Sequence, residues 1–200
     1  MAETKPRKKT KAERTKEHLY HISMEMLIER GFQATTIRDI CKEADVSVGT
    51  FYTYFDSKYS ILFEVVRKAD HYFVDEVQPM LEGLSIQQQL RKYFEEYAEY
   101  MQGTNFETLC VLYSIQNIWL ARYRPMQRVL TSILTAGQLS GEITTAYTAE
   151  KLCELLFSSV RGITFSWCTT QAGFELTERI LEYTNFVMKS LLVDSHDSQS

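Results

Sequence analysis

Three side chains suited to starting a helix, Thr36, Ser47 and Ser57, fall within 22 residues, just after a glycine at position 31. Each can accept a hydrogen bond from the free N–H groups of the turn that follows it. Closely spaced starts leave room only for short helices. Ile37, Ile40, Cys41 and Ala44 line one face of a two-turn helix, and a second short helix covers Val48 to Tyr54. Before them, Leu19, Ile22, Met26 and Leu27 recur three and four apart, which predicts a long amphipathic helix from Lys11 to Arg30 that Gly31 stops. A short helix, a tight turn through Asp45 and another short helix, braced by a longer one, make a helix-turn-helix.

The chain holds 3 Pro and 8 Gly in 200 residues, which favours long helices over a turn-rich β fold. The expected class is all-α: an N-terminal three-helix helix-turn-helix domain, a connector helix begun by Ser57 and running to Pro79, and a helical second domain. The expected divisions are a disordered basic arm at 1–10, a helix-turn-helix domain at 11–58, an effector-binding and dimerisation domain at 59–193, and a disordered tail at 194–200. Within the second domain, residues 86–102, the apolar stretch 107–123, Arg128–Leu139 ended by Gly137 to Gly141, and a final long pair joined near Gly173 read as helices.

The net charge of −4 hides an asymmetry. Residues 1–16 carry seven Lys or Arg and two Glu, a surplus of five, whereas the remaining 184 residues sum to −9. Contact with a polyanion is therefore expected at the N-terminal end. Cys41, Cys110, Cys153 and Cys168 show no ligand spacing and read as reduced, buried thiols. No 18-residue apolar run and no leader pattern occur, so a soluble cytoplasmic chain is expected.

Across Gly31-Phe32, Thr36, Ile40, Ala44, Val46, Ser47, Gly49, Phe51, Tyr52, Tyr54, Phe55, Ser57 and Lys58, the sequence resembles the DNA-binding domain of the TetR family of bacterial transcriptional regulators. Asp45 stands where the family has a turn glycine, and tolerates the left-handed conformation that turn needs. The candidate DNA contacts are Thr36, Arg38, Ser47, Val48, Gly49, Thr50, Tyr52, Tyr54 and Lys58. Phe51 and Phe55, four apart, are assigned to the core, and Tyr52 and Tyr54 to the outside, with hydroxyls suited to phosphate oxygens. Thr36 and Ser47 either only cap their helices or also meet a phosphate. Gly49 serves either close approach to DNA or close packing on the first helix. Thr50 offers a methyl to thymine. Lys58 sits against the dipole of its own helix, which a nearby phosphate would explain.

The resemblance implies a homodimer joined through the last two long helices. Ser158, Gly162 and Ser166 form a small-residue stripe there, with Ile180, Tyr183, Val187 and Leu191 as further candidates; the same residues suit an intramolecular core. The aromatic-rich middle of the chain suits a small, mostly apolar effector, for which Tyr97, Tyr113, Trp119 and Trp167 are candidate contacts. By the same resemblance, binding would shift the connector at Ile61–Asp70 and release a palindromic operator in double-stranded DNA, the action of a repressor. The alternatives are an activator or a helical protein-interaction module. No catalytic motif, metal site or cofactor is expected, and His18 and His21, three apart, lack a third ligand.

Overall fold

Capping side chains set where the helices begin. Thr10 accepts from the Glu13 N–H at 3.2 Å while the Glu13 carboxylate accepts from the Thr10 N–H at 2.7 Å, a reciprocal pair that opens α1 (Lys11–Arg30). Thr36 and Asp39 repeat the device at α2 (Ile37–Glu43). Hydrogen bonds from Thr36 hold the Asp39 carboxyl below the usual carboxylate range. Ser47 Oγ accepts from the Thr50 N–H at 3.0 Å at the head of α3 (Val48–Tyr54). Ser57 and Ser60 cap each other at the start of α4 (Lys58–Tyr72). The computed structural model describes residues 9–114 and 124–193. The first eight residues of the basic arm, Trp119 and the tail at 194–200 lie outside the described residues.

The chain divides inside α4 into two compact units, residues 1–65 and 66–200, seven residues beyond the boundary expected at 58. In the first unit α2 packs on α1 and α3 packs on α2. Leu19, Leu27, Ile40, Phe51, Ile61 and Leu62 are wholly buried there.

The connector does not stop at Pro79. It widens into a π turn at Phe73–Val77, where the Gln78 N–H reaches the Phe73 carbonyl, and continues as α5 (Gln78–Met80). Proline donates no hydrogen bond and its ring clashes with the carbonyl four residues back, and one wide turn relieves both problems.

The second unit continues with α6 (Ile86–Gly103), α7 (Phe106–Ser114), α8 (Pro125–Leu139), α9 (Ala149–Thr169) and α10 (Leu176–Leu191). Helix α6 packs on α10 and α8, and α9 packs on α7, α8 and α10. Phe73, Tyr93, Phe94 and Phe157 are fully buried aromatic residues of this core, and the Tyr93 hydroxyl donates to the Met126 carbonyl at 2.8 Å. Among the described residues no strand forms; an isolated bridge joins Ile143 to Leu192.

Gly137 is not the helix terminator that the sequence suggests. It lies inside α8, where an added Cβ would come within 2.3 Å of Ile143 Cγ1 and 2.8 Å of Ile86 Cγ2. The terminator is Gly141, at φ 78°. Gly137→Ala is expected to destabilise the chain by about 1–3 kcal/mol through overpacking. Gly103→Ala, whose Cβ would meet nothing within 4 Å, should instead be neutral or stabilising by up to about 1 kcal/mol. Urea unfolding of the two variants checks both.

Candidate nucleic-acid interface and effector region

The first unit presents one face of α3. Asp45, at φ 52°, makes the turn that the sequence assigns to it. Phe51 is completely buried and Phe55 nearly so, while Tyr52 stays 52% exposed and meets Phe51 edge-on at 5.6 Å. Tyr54, expected to face outward, is half-buried. Ser47, Val48 and Gly49 are exposed and Thr50 is half-buried. The Thr50 hydroxyl lies 2.9 Å from Ser47 Oγ, so the two hydroxyls orient one another at the helix start. Thr53, which sequence reasoning passed over, shares this face because it follows Gly49 by four residues, and its hydroxyl donates to the Gly49 carbonyl at 3.1 Å. Thr36 and Arg38 are exposed at the head of α2.

Gly49 resolves one open alternative. A Cβ there would meet only Ser47 Oγ, at an ordinary 3.6 Å. Packing on the first helix therefore does not require the glycine, and the empty space faces outward.

Lys58 has a reason for its position other than a phosphate. Its ammonium donates to the Phe32 carbonyl and, at 2.6 Å, to the Thr35 carbonyl, and it lies 4.2 Å from the centre of the Phe32 ring. Burial lowers its pKa. The lysine ties the start of α4 to the loop ahead of α2. The partners lie 26 and 23 residues away in sequence, so dipole reasoning along the helix could not find them.

In the second unit the described effector candidates fall on three helices, α6, α7 and α9. Tyr97 (α6) is buried and Tyr113 (α7) half-buried. Their hydroxyls lie within mutual reach, together with that of Thr164 on α9. Trp167 is buried too, but its indole N–H donates to the Phe174 carbonyl at 2.9 Å and its ring meets Phe106 edge-on at 4.9 Å. It fastens the turn between α9 and α10, where Gln171 and Ala172, rather than Gly173, take positive φ. Ser158, Gly162 and Ser166 are exposed along α9, beside the exposed Leu155 and Phe165. On α10, Ile180 and Leu191 are taken into the chain's own core, and Tyr183 and Val187 are half-buried.

Sequence reasoning missed a buried ion pair. Asp70 on α4 accepts from Arg124 Nε and from the Met126 N–H, both at 3.2 Å, and Arg124 also donates to the Val66 carbonyl at 3.1 Å. The carboxylate thus satisfies a free N–H in the first turn of α8 and sits at the positive end of that helix. No local pattern announces a pair 54 residues apart. Among the described residues no three His, Cys, Asp or Glu side chains come together to hold a metal, and no helix is long and apolar enough to cross a membrane.

A helix-turn-helix unit with an exposed second helix, continued into a helical unit by a shared helix, defines the class of DNA-binding transcriptional regulators. Residues 16–65 match the family of bacterial regulatory proteins called the tetR family. The chain is 20% identical over 183 residues to the fatty acid metabolism regulator protein of Bacillus subtilis (strain 168), covering 88% of this chain and 92% of that protein. It is 24% identical over 156 residues to the transcriptional repressor DhaR of Mycobacterium sp. (strain GP1), covering 74% and 79%. The fold matches that of FadR from Thermus thermophilus, a TetR-family transcriptional repressor in complex with lauroyl-CoA, with a TM-score of 0.69 at 24% identity over 87% of this chain and 93% of that one.

Two substitutions test this geometry. Gly49→Ala should leave thermal stability unchanged or slightly higher while weakening duplex binding at least about tenfold, since the added methyl occupies space the fold leaves open. Asp70→Ala should cost about 3–5 kcal/mol in urea unfolding by stranding a buried guanidinium, and a second change, Arg124→Met, should recover part of that loss.

Proposed function

We propose that the chain is a cytoplasmic homodimeric repressor, not an enzyme, that binds a palindromic operator and is released by a small, mostly apolar effector. The observation that carries the reading is the outward face of α3. Gly49, exposed and unconstrained by packing, lies between exposed hydroxyl and apolar groups at the end of a helix of the size that enters the major groove. One such module contacts few base pairs, so a two-fold pair supplies affinity and register. The exposed stripe Ser158, Gly162 and Ser166, with the exposed Leu155 and Phe165 on the same helix and the 72%-exposed Phe186 on α10, offers surface for a second copy.

The relatives support an apolar chain as part of the effector. One is named for fatty acid metabolism and another is seen with lauroyl-CoA, in keeping with the aromatic core of this second unit. Effector binding would bias α4 between two packings. The handle is Asp70, because any movement of the head of α8 pulls on its carboxylate and on the Val66 carbonyl through Arg124.

Duplex spanning the DNA upstream of the protein's own gene, titrated by fluorescence anisotropy, tests the reading. Affinity should fall by roughly a thousandfold between about 50 mM and 200 mM salt, as counterion release by several phosphate contacts requires. Tyr52→Phe should weaken binding to every duplex by a similar factor with no change in melting temperature. A wild-type chain that binds no duplex at low salt would defeat the proposal.

A further inference from the structure

Two arginines reach into the second unit, and their charges are treated differently. Arg124 is matched by Asp70 at 3.2 Å. Arg161, on α9, has no carboxylate within ion-pair distance among the described residues, and its Nη2 is sealed from solvent without a hydrogen-bond partner. The face of Phe157 lies against it, with the guanidinium carbon 5.3 Å from the ring centre. A ring face is a poor substitute for an anion, and a buried donor left unmade is costly.

Among the described residues, the groups near Arg161 are Tyr97, Tyr113, Cys153 and the Arg124 guanidinium, whose charge Asp70 already matches. The hydroxyls of Tyr97, Tyr113 and Thr164 lie within hydrogen-bond reach of one another. Burial pushes both phenols up, and likewise the Cys153 thiol nearby, so none carries a negative charge at neutral pH. Arginine stays protonated in such a setting. The cluster therefore holds one net positive charge, two neutral phenols and a guanidinium whose Nη2 has no hydrogen-bond partner. Arg161 is half-buried at the edge of the core: it follows the buried Phe157 by four residues and precedes the buried Thr164 by three, and it also lies three residues after the exposed Ser158.

We propose that Arg161, with the phenols of Tyr97 and Tyr113, receives the acidic head of the effector, and that the effector is a monocarboxylate on an apolar body. A carboxylate presents two oxygens to the guanidinium fork and carries the single negative charge that this cluster lacks. A phosphate dianion would leave one charge unmatched. The inference rests on the reading of this unit as the effector domain, and it adds a charged head to an effector otherwise expected to be mostly apolar.

Thermal unfolding of the full chain tests it, with straight-chain carboxylates from butanoate to dodecanoate, benzoate and phenylacetate, each beside its primary amide. At least one carboxylate should raise the wild-type Tm by about 5 °C at saturation, with its amide inert. Arg161→Met should melt at the same or a higher temperature than wild type without ligand, because it removes a buried donor that has no partner, and should lose the carboxylate response. Arg161→Lys should retain part of it. The proposal is overturned if Arg161→Met alone melts several degrees lower, or if no carboxylate outperforms its amide. Duplex binding measured on the same samples separates the two readings. A chain that binds duplex but shows no preference for carboxylates defeats the Arg161 assignment alone, whereas one that prefers a carboxylate but binds no duplex defeats the regulator reading.

Discussion

The carboxylate of Asp70 is shared between the Arg124 guanidinium and the first turn of α8, while Arg124 reaches back to the Val66 carbonyl on the same helix as Asp70. Remove any one of the three groups and a buried polar atom loses its partner, which is why this contact behaves as a unit. Its place matters as much as its strength. Asp70 lies twelve residues after Lys58 on one uninterrupted helix, α4, and Lys58 holds the carbonyls of Phe32 and Thr35 just ahead of α2. The connector is thus pinned near each end by charge-assisted hydrogen bonds to backbone carbonyls. Below Asp70 it loosens into the π turn that Pro79 imposes.

Arg124 and Arg161 of the second unit show the difference between structural and receptive charge. A buried cation with its own carboxylate is finished as a piece of architecture. One facing neutral phenols is incomplete until something anionic arrives. The same contrast separates Gly137 from Gly49. The first glycine is demanded by side chains 2.3 and 2.8 Å away inside the chain, whereas the second faces open space.

The first unit was legible in the sequence because its determinants are local. Caps at Thr36 and Ser47, the stop at Gly31 and the four-residue spacing of Phe51 and Phe55 act within one or two turns, and the helices begin and end where those residues place them. The same spacing separated exposed Tyr52 from the core but overstated the exposure of Tyr54, whose shielding depends on neighbouring elements. Features set by distant residues were out of reach. The partners of Lys58 and Asp70 lie tens of residues away, Gly137 read as a terminator because its crowding comes from Ile86 and Ile143, and nothing in the local sequence of α9 marks Arg161, whose surroundings come from other helices. The assignment of Trp167 to an effector rested on ring type alone, and its indole is engaged in closing the turn to α10.

The claim that α3 reads base sequence as one half of a two-fold pair is tested most directly by selecting binders from a random double-stranded DNA library with the full chain and with Thr50→Ala. The account predicts that the wild type enriches a single inverted repeat, and that Thr50→Ala changes the preferred bases at symmetry-related positions of both half-sites. Enrichment of no inverted repeat, or of the same repeat with unchanged bases by both proteins, would contradict it.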